Sequence, residues 1–133
     1  MTTYSSWFAP LMVLGLSASG CVIDIGHDHD DGILTVEWSL DDTFDPEACL
    51  DYEARDIELI IYDWDDYVVV DDLVRCADFE ASYDLPEGEY ALDATLVDRS
   101  GRSVTTTVAL DRIDVYEGEE TPLPLDFPVD SIR

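Results

Sequence analysis

At 133 residues the chain has material for one domain and not for two with separate cores. Its 32 Asp and Glu stand against six Arg and no Lys, a formal charge of −26, so a polyanion such as nucleic acid is repelled rather than steered in. Apolar residues make up 47% and aromatic residues 11%, enough burial material to argue against a disordered acidic chain.

The chain opens on MTTYSSWFAPLMVLGLSASG, in which no side chain is an acid or a base. Trp7 to Leu16 is an apolar run of roughly ten residues, within the ~7–15 of a signal-peptide core and short of the ~20 of a membrane-spanning helix. Ala18, Ser19 and Gly20 then stand directly before Cys21, small side chains that suit extended backbone in a cleavage pocket. Here the sequence resembles a bacterial lipoprotein signal. That resemblance implies cleavage between Gly20 and Cys21, thioether lipidation of Cys21 and acylation of the new amino group. It also implies an outer-membrane destination, since Val22 rather than Asp follows the cysteine. One feature departs from the pattern: no Lys or Arg lies near the start. The competing reading is a secretory peptide cut near Ala18, with Cys21 a plain thiol. Three acyl chains, at about 0.8 kcal/mol per buried methylene, would hold the protein at a bilayer almost permanently.

Residues 21–32 carry the lipidated cysteine and the acidic stretch VIDIGHDHDDG, which has no apolar period and reads as a flexible tether. Extended at ~3.5 Å per residue, it reaches no more than ~40 Å. The folded domain is expected over 33–133. Leu34, Val36, Trp38 and Leu40 alternate with Thr35, Glu37, Ser39 and Asp41, the period of a half-buried strand. The polar stretch Asp41 to Arg55 follows, with a short helical turn expected over Pro46 to Tyr52 and Asp45 placed to cap it.

Ile57 to Tyr62 and Tyr67 to Val70 read as two strands joined at Asp63-Trp64-Asp65-Asp66. Phe79, Ala81, Tyr83 and Leu85 alternate again, and Pro86-Glu87-Gly88 makes a turn. Tyr90, Leu92, Ala94 and Leu96 line one side of the next strand, and Asp98 to Arg102 connects it to a return arm expected over Val104 to Leu110. Ile113 to Tyr116 reads as a short edge segment. The last strand uses Leu123, Leu125, Phe127 and Val129, its prolines 122, 124 and 128 placing it at an edge.

About seven short strands with close turns and no long helical period give an all-β fold, a single antiparallel β-sandwich of immunoglobulin-like or transthyretin-like kind. The run Leu85-Pro86-Glu87-Gly88-Glu89-Tyr90 resembles the turn-and-strand entry of transthyretin-like and carboxypeptidase-regulatory-like sandwiches. In layout the chain resembles the small lipoproteins of Gram-negative bacteria.

Cys49 and Cys76 form an even pair, a disulfide candidate in an exported chain. The alternative, a zinc site, lacks ligands near by: the histidines, His27 and His29, lie in the tether. With no histidine in the domain, no nucleophile elbow, no phosphate loop and no HExxH, no enzyme is expected and no cofactor is required. Calcium has candidate hard-oxygen ligands in Asp63, Asp65 and Asp66 or in Asp28, Asp30 and Asp31. Neither set fits an EF-hand, and the competing reading is a solvated acidic surface. His27-Asp28-His29-Asp30 could catch zinc or copper loosely. Trp64 is the candidate ligand-binding aromatic for a sugar or a partner protein, although the expectation is that it folds back onto the sheet. Together these readings give a non-catalytic envelope module for adhesion, scaffolding or protein interaction, with calcium or carbohydrate binding as the alternative. The partners are a membrane, through Cys21, and an envelope protein or glycan.

Overall fold

The computed structural model describes residues 31–132. Seven strands form in chain order: β1 (Gly32–Leu40), β2 (Asp56–Tyr62), β3 (Val68–Arg75), β4 (Glu80–Leu85), β5 (Gly88–Val97), β6 (Val108–Val115) and β7 (Glu120–Phe127). One helix, α1 (Pro46–Asp51), stands between β1 and β2. Asp45 caps it, the carboxylate accepting from Glu47 N at 3.0 Å with Pro46 in the first turn.

The strands make two sheets, β4-β1-β7 and β3-β2-β5-β6, and the fold is an all-β sandwich. Alternation built the core as expected. Leu34, Val36, Trp38 and Leu40 of β1, Ile57, Leu59 and Ile61 of β2, and Leu92, Ala94 and Leu96 of β5 are fully enclosed, with Val115 and Phe127 added from β6 and β7. The indole N–H of Trp38 is satisfied inside the core by donating to the Cys76 carbonyl at 2.9 Å, which ties the first sheet to the turn after β3.

Two pairings differ from the antiparallel expectation or from its boundaries. β7 pairs with β1 in parallel, Ile33 opposite Glu120 through Leu40 opposite Phe127. No local sequence rule determines this, because the chain between the two strands runs through the whole domain. Among the described residues β7 has no second neighbour, so Pro122 and Pro124 sit on an edge where missing N–H donors are tolerated. The return arm after β5 starts later than expected. Val104 N donates to Leu96 O, but the buried hydroxyl of Thr105 then takes the Leu96 N–H at 3.1 Å and Thr106 N turns to Ser131 O. Regular pairing resumes only at Val108, opposite Ala94, and continues past a register shift and a left-handed Arg112 (φ 57°) to Val115. The expected separate edge segment is therefore the second half of β6.

β1 takes in Gly32, the last residue of the expected tether. A Cβ there would collide with the Tyr116 carbonyl and the Val115 side chain, so the entry of the chain into the sheet requires glycine. Tyr90, in the six-residue run that suggested the sandwich, donates its hydroxyl to the Pro86 carbonyl and so closes the turn into β5. Cys49 and Cys76 are joined by a disulfide with Cα atoms 6.1 Å apart, linking α1 to the end of β3, and both cysteines are buried.

Candidate functional site

The β2–β3 hairpin is built around one carboxylate. Asp63 Oδ1 accepts from Asp65 N at 2.9 Å and from Tyr67 N at 3.0 Å, while the backbone closes through Asp63 N to Tyr67 O and Asp66 N to Asp63 O. Asp66 takes the left-handed conformation (φ 65°) that lets the chain turn back. The Asp63 carboxylate thus occupies the backbone N–H groups on the inside of the loop. Trp64 is 73% exposed and does not fold back, contrary to the sequence expectation, and Tyr67, three residues on, is 70% exposed.

The apolar surface continues along β3. Val68 is 54% and Leu73 57% exposed, with Val69 between them also in solvent. Among the described residues β3 pairs only with β2 and is an edge strand of its sheet. Leu73 stands opposite Glu58 and Asp71 opposite Ile60, on the outer face of the sheet. Asp63, Asp65, Asp66, Asp71 and Asp72 flank the strip and break it into patches too charged for edge-to-edge sheet growth. Asp72 also accepts from the Tyr83 hydroxyl of β4 at 2.8 Å and so bridges the two sheets at their edges. Partial burial and that bond to a carboxylate both push the Tyr83 phenol well above its ordinary pKa. Tyr90 is raised too, by burial and then by the negative charges of Asp31 and Asp63.

The opposite end of the same sheet carries a groove of about 920 Å³ beside the disulfide. Its walls come from α1, the segment between α1 and β2, the end of β3 with the turn that follows it, and the turn after β5. In that turn Asp98 Oδ1 accepts from Ser100 N, Ser100 Oγ and Arg102 N at 2.7–3.0 Å, bonds that hold its carboxyl below the usual range.

The structure thus brings Cys49 and Cys76 together and puts Trp64 in solvent. Among the described residues no three His, Cys, Asp or Glu side chains converge as ligands for one ion, and at the hairpin the carboxylate of Asp63 is already engaged by backbone N–H groups. Cys21, His27, Asp28, His29 and Asp30 lie outside the described residues. Among the described residues no helix is long and apolar enough to cross a membrane. Sequence reasoning missed the groove, and the apolar strip was visible only at Trp64. The run Tyr67 to Val70 reads equally as a buried strand until its place at the sheet edge is known.

No family model and no curated protein matches the sequence. Among solved structures, a "putative adhesin" from Bacteroides ovatus aligns over 77% of this chain and 48% of its own, at 14% identity and a TM-score of 0.46. A structure of "putative polysaccharide binding proteins" from Bacteroides thetaiotaomicron aligns over 74% of this chain and 46% of its own, at 11% identity and a TM-score of 0.43. The chain spans about half the length of each of these two proteins.

Proposed function

We propose that the chain is a non-catalytic lipoprotein of the cell envelope, anchored at the outer membrane through Cys21, whose sandwich is an adhesion or protein-interaction module working through the β2–β3 hairpin. The observation that carries the contact surface is the exposed strip of Trp64, Tyr67, Val68 and Leu73. Large aromatics presented on a rigid turn lose little side-chain entropy on binding and are the residue types that anchor interfaces. The flanking aspartates give the surface a negative rim, so the fitting partner is a protein with an apolar centre ringed by Lys and Arg. The anchor is supported by Ala18-Ser19-Gly20-Cys21 and the uncharged apolar run before it. The same reading takes the domain as transthyretin-like, on the strength of the Leu85 to Tyr90 run.

The test uses the full-length chain in cells given radioactive palmitate, with a benzoylphenylalanine photo-crosslinker replacing Trp64 in one strain and the exposed Glu87 in another. The expected result is label on the wild type, loss of label and of membrane retention in Cys21→Ala, and a discrete protein adduct from position 64 only. Label that persists in Cys21→Ala removes the anchor. Equal adducts from both positions, or none from 64, remove the hairpin as a protein contact. If Trp64→Ala abolishes retention on a glycan instead, with no adduct at 64, the hairpin belongs to carbohydrate.

A further inference from the structure

Positive charge in this chain is scarce and unevenly placed. Of its six arginines, Arg55, Arg75 and Arg99 all line the groove beside the disulfide. Their backbone positions are fixed by the sheet. Arg55 N donates to Val97 O at 2.8 Å, Cys76 N donates to Arg55 O at 3.0 Å, and Arg75 stands opposite Asp56, which also stands opposite Val97 on the other side. Arg99 follows two residues later in the turn after β5.

Among the described residues the three guanidinium groups make a single ion pair, Arg55 with Asp56. That pair runs through Arg55 Nε at 3.8 Å from Asp56 Oδ2, longer than a hydrogen bond, with the Arg55 side chain still 59% exposed, and neither Arg75 nor Arg99 has a carboxylate within 4.0 Å among the described residues. Glu53 and Asp98 also border the groove, but Asp98 already spends one oxygen on three bonds within its own turn. Between the arginines lie the short apolar side chains of Ala54 and Ala77, with Leu50 on the α1 wall.

We propose that this groove is a binding site for an acidic saccharide, with the carboxylate or sulfate group of a sugar residue held between Arg55, Arg75 and Arg99. Guanidinium forks match the planar or tetrahedral geometry of these oxyanions and bind them bidentately. The volume suits a short oligosaccharide. The short apolar side chains leave space for the C–H face of a pyranose. A chain of charge −26 repels an anion over most of its surface, so three arginines lining one concavity make a local exception with chemical meaning. The site lies at the other end of the sheet from the hairpin, and it does not depend on the hairpin being a contact surface.

The test is a titration of the full-length chain at ~0.15 M NaCl, where long-range repulsion is screened beyond about 8 Å, followed by calorimetry and by amide NMR shifts. The probes are trigalacturonate, a heparin tetrasaccharide, the neutral trisaccharide galactotriose, and inorganic phosphate. The expected result is saturable binding of at least one of the two acidic saccharides, shifts centred on Arg55, Arg75 and Ser100, and no binding of galactotriose. The double variant Arg75→Gln, Arg99→Gln should weaken that binding tenfold or more with its circular dichroism unchanged. Arg112→Gln on β6, away from the groove, should leave it intact. Absence of acidic-saccharide binding, equal binding of galactotriose, or indifference to the double variant overturns the site. Inorganic phosphate binding as tightly as the saccharides would overturn the assignment to a sugar.

Discussion

Tyr83 and Asp72 belong to different sheets, and the 2.8 Å bond between them is a side-chain link from the edge strand β4 to the edge strand β3. Its chemistry makes stability depend on alkaline pH. In the unfolded chain a tyrosine loses its proton near pH 10, whereas burial and the bond to Asp72 hold the folded-state phenol protonated well above that. Below pH 10 both states carry the proton and the bond contributes in full. As pH rises beyond 10 the unfolded state alone releases it, and stability falls. Tyr83→Phe removes the hydroxyl, leaving the Asp72 carboxylate in solvent. Denaturant melts at pH 8 should show a loss of about 1 kcal/mol, the usual net value of a partly exposed hydrogen bond. Repeated at pH 10.5–11.5, the gap between wild type and variant should narrow. A gap that stays constant through that range would mean the Tyr83 proton is not linked to folding.

The elements show what a sequence can and cannot carry. Strands β1, β2 and β5 and the capped helix α1 were legible because period-two alternation and an Asp before a Pro are local features, and burial follows them directly. The parallel partnership of β1 and β7 was not, since it depends on how the intervening strands stack. Nor was the groove: Arg55, Arg75 and Arg99 meet only through the register of three strands, and nothing in their spacing announces it. The Cys49–Cys76 pairing lay between, since compartment and parity favoured it and the structure supplied the partners. The bond spans 27 residues of sequence, for which chain entropy gives roughly 3.5 kcal/mol of stabilisation. It closes a loop containing β2 and the edge strand β3, the two strands that carry the hairpin. Cys49→Ala with Cys76→Ala should therefore lower the unfolding free energy by about that amount and raise the urea m-value, because the released unfolded chain exposes more surface. If the double variant melts as the wild type does, the loop is not a significant part of unfolded-state freedom.

Over the whole molecule, charge sets the conditions under which the sandwich is stable. Among the described residues only Arg55 and Asp56 form an ion pair within 4.0 Å, so the excess of carboxylates is balanced by solvent counterions rather than by partners in the fold. Self-repulsion of this kind acts against the compact state and is relieved by screening. Raising ionic strength from ~10 mM to ~150 mM shortens the Debye length from about 30 Å to about 8 Å, which cuts off repulsion across the domain while leaving neighbouring groups in contact. The melting temperature should rise, and each ~1 kcal/mol gained corresponds to about 4–8 °C for a domain of this size. Sodium, choline, magnesium and calcium chlorides compared at equal ionic strength separate screening from binding. Equal shifts are expected if the carboxylates act as a diffuse field, in keeping with the absence of converging acidic ligands among the described residues. A shift with calcium that exceeds the others and is reversed by EDTA would instead show an ion held at a discrete place, since a ligand bound only by the folded state adds stability in proportion to the logarithm of its saturation. A melting temperature that falls with sodium chloride would show that attractive contacts outweigh the repulsion, and that −26 charges are better tolerated than their number suggests.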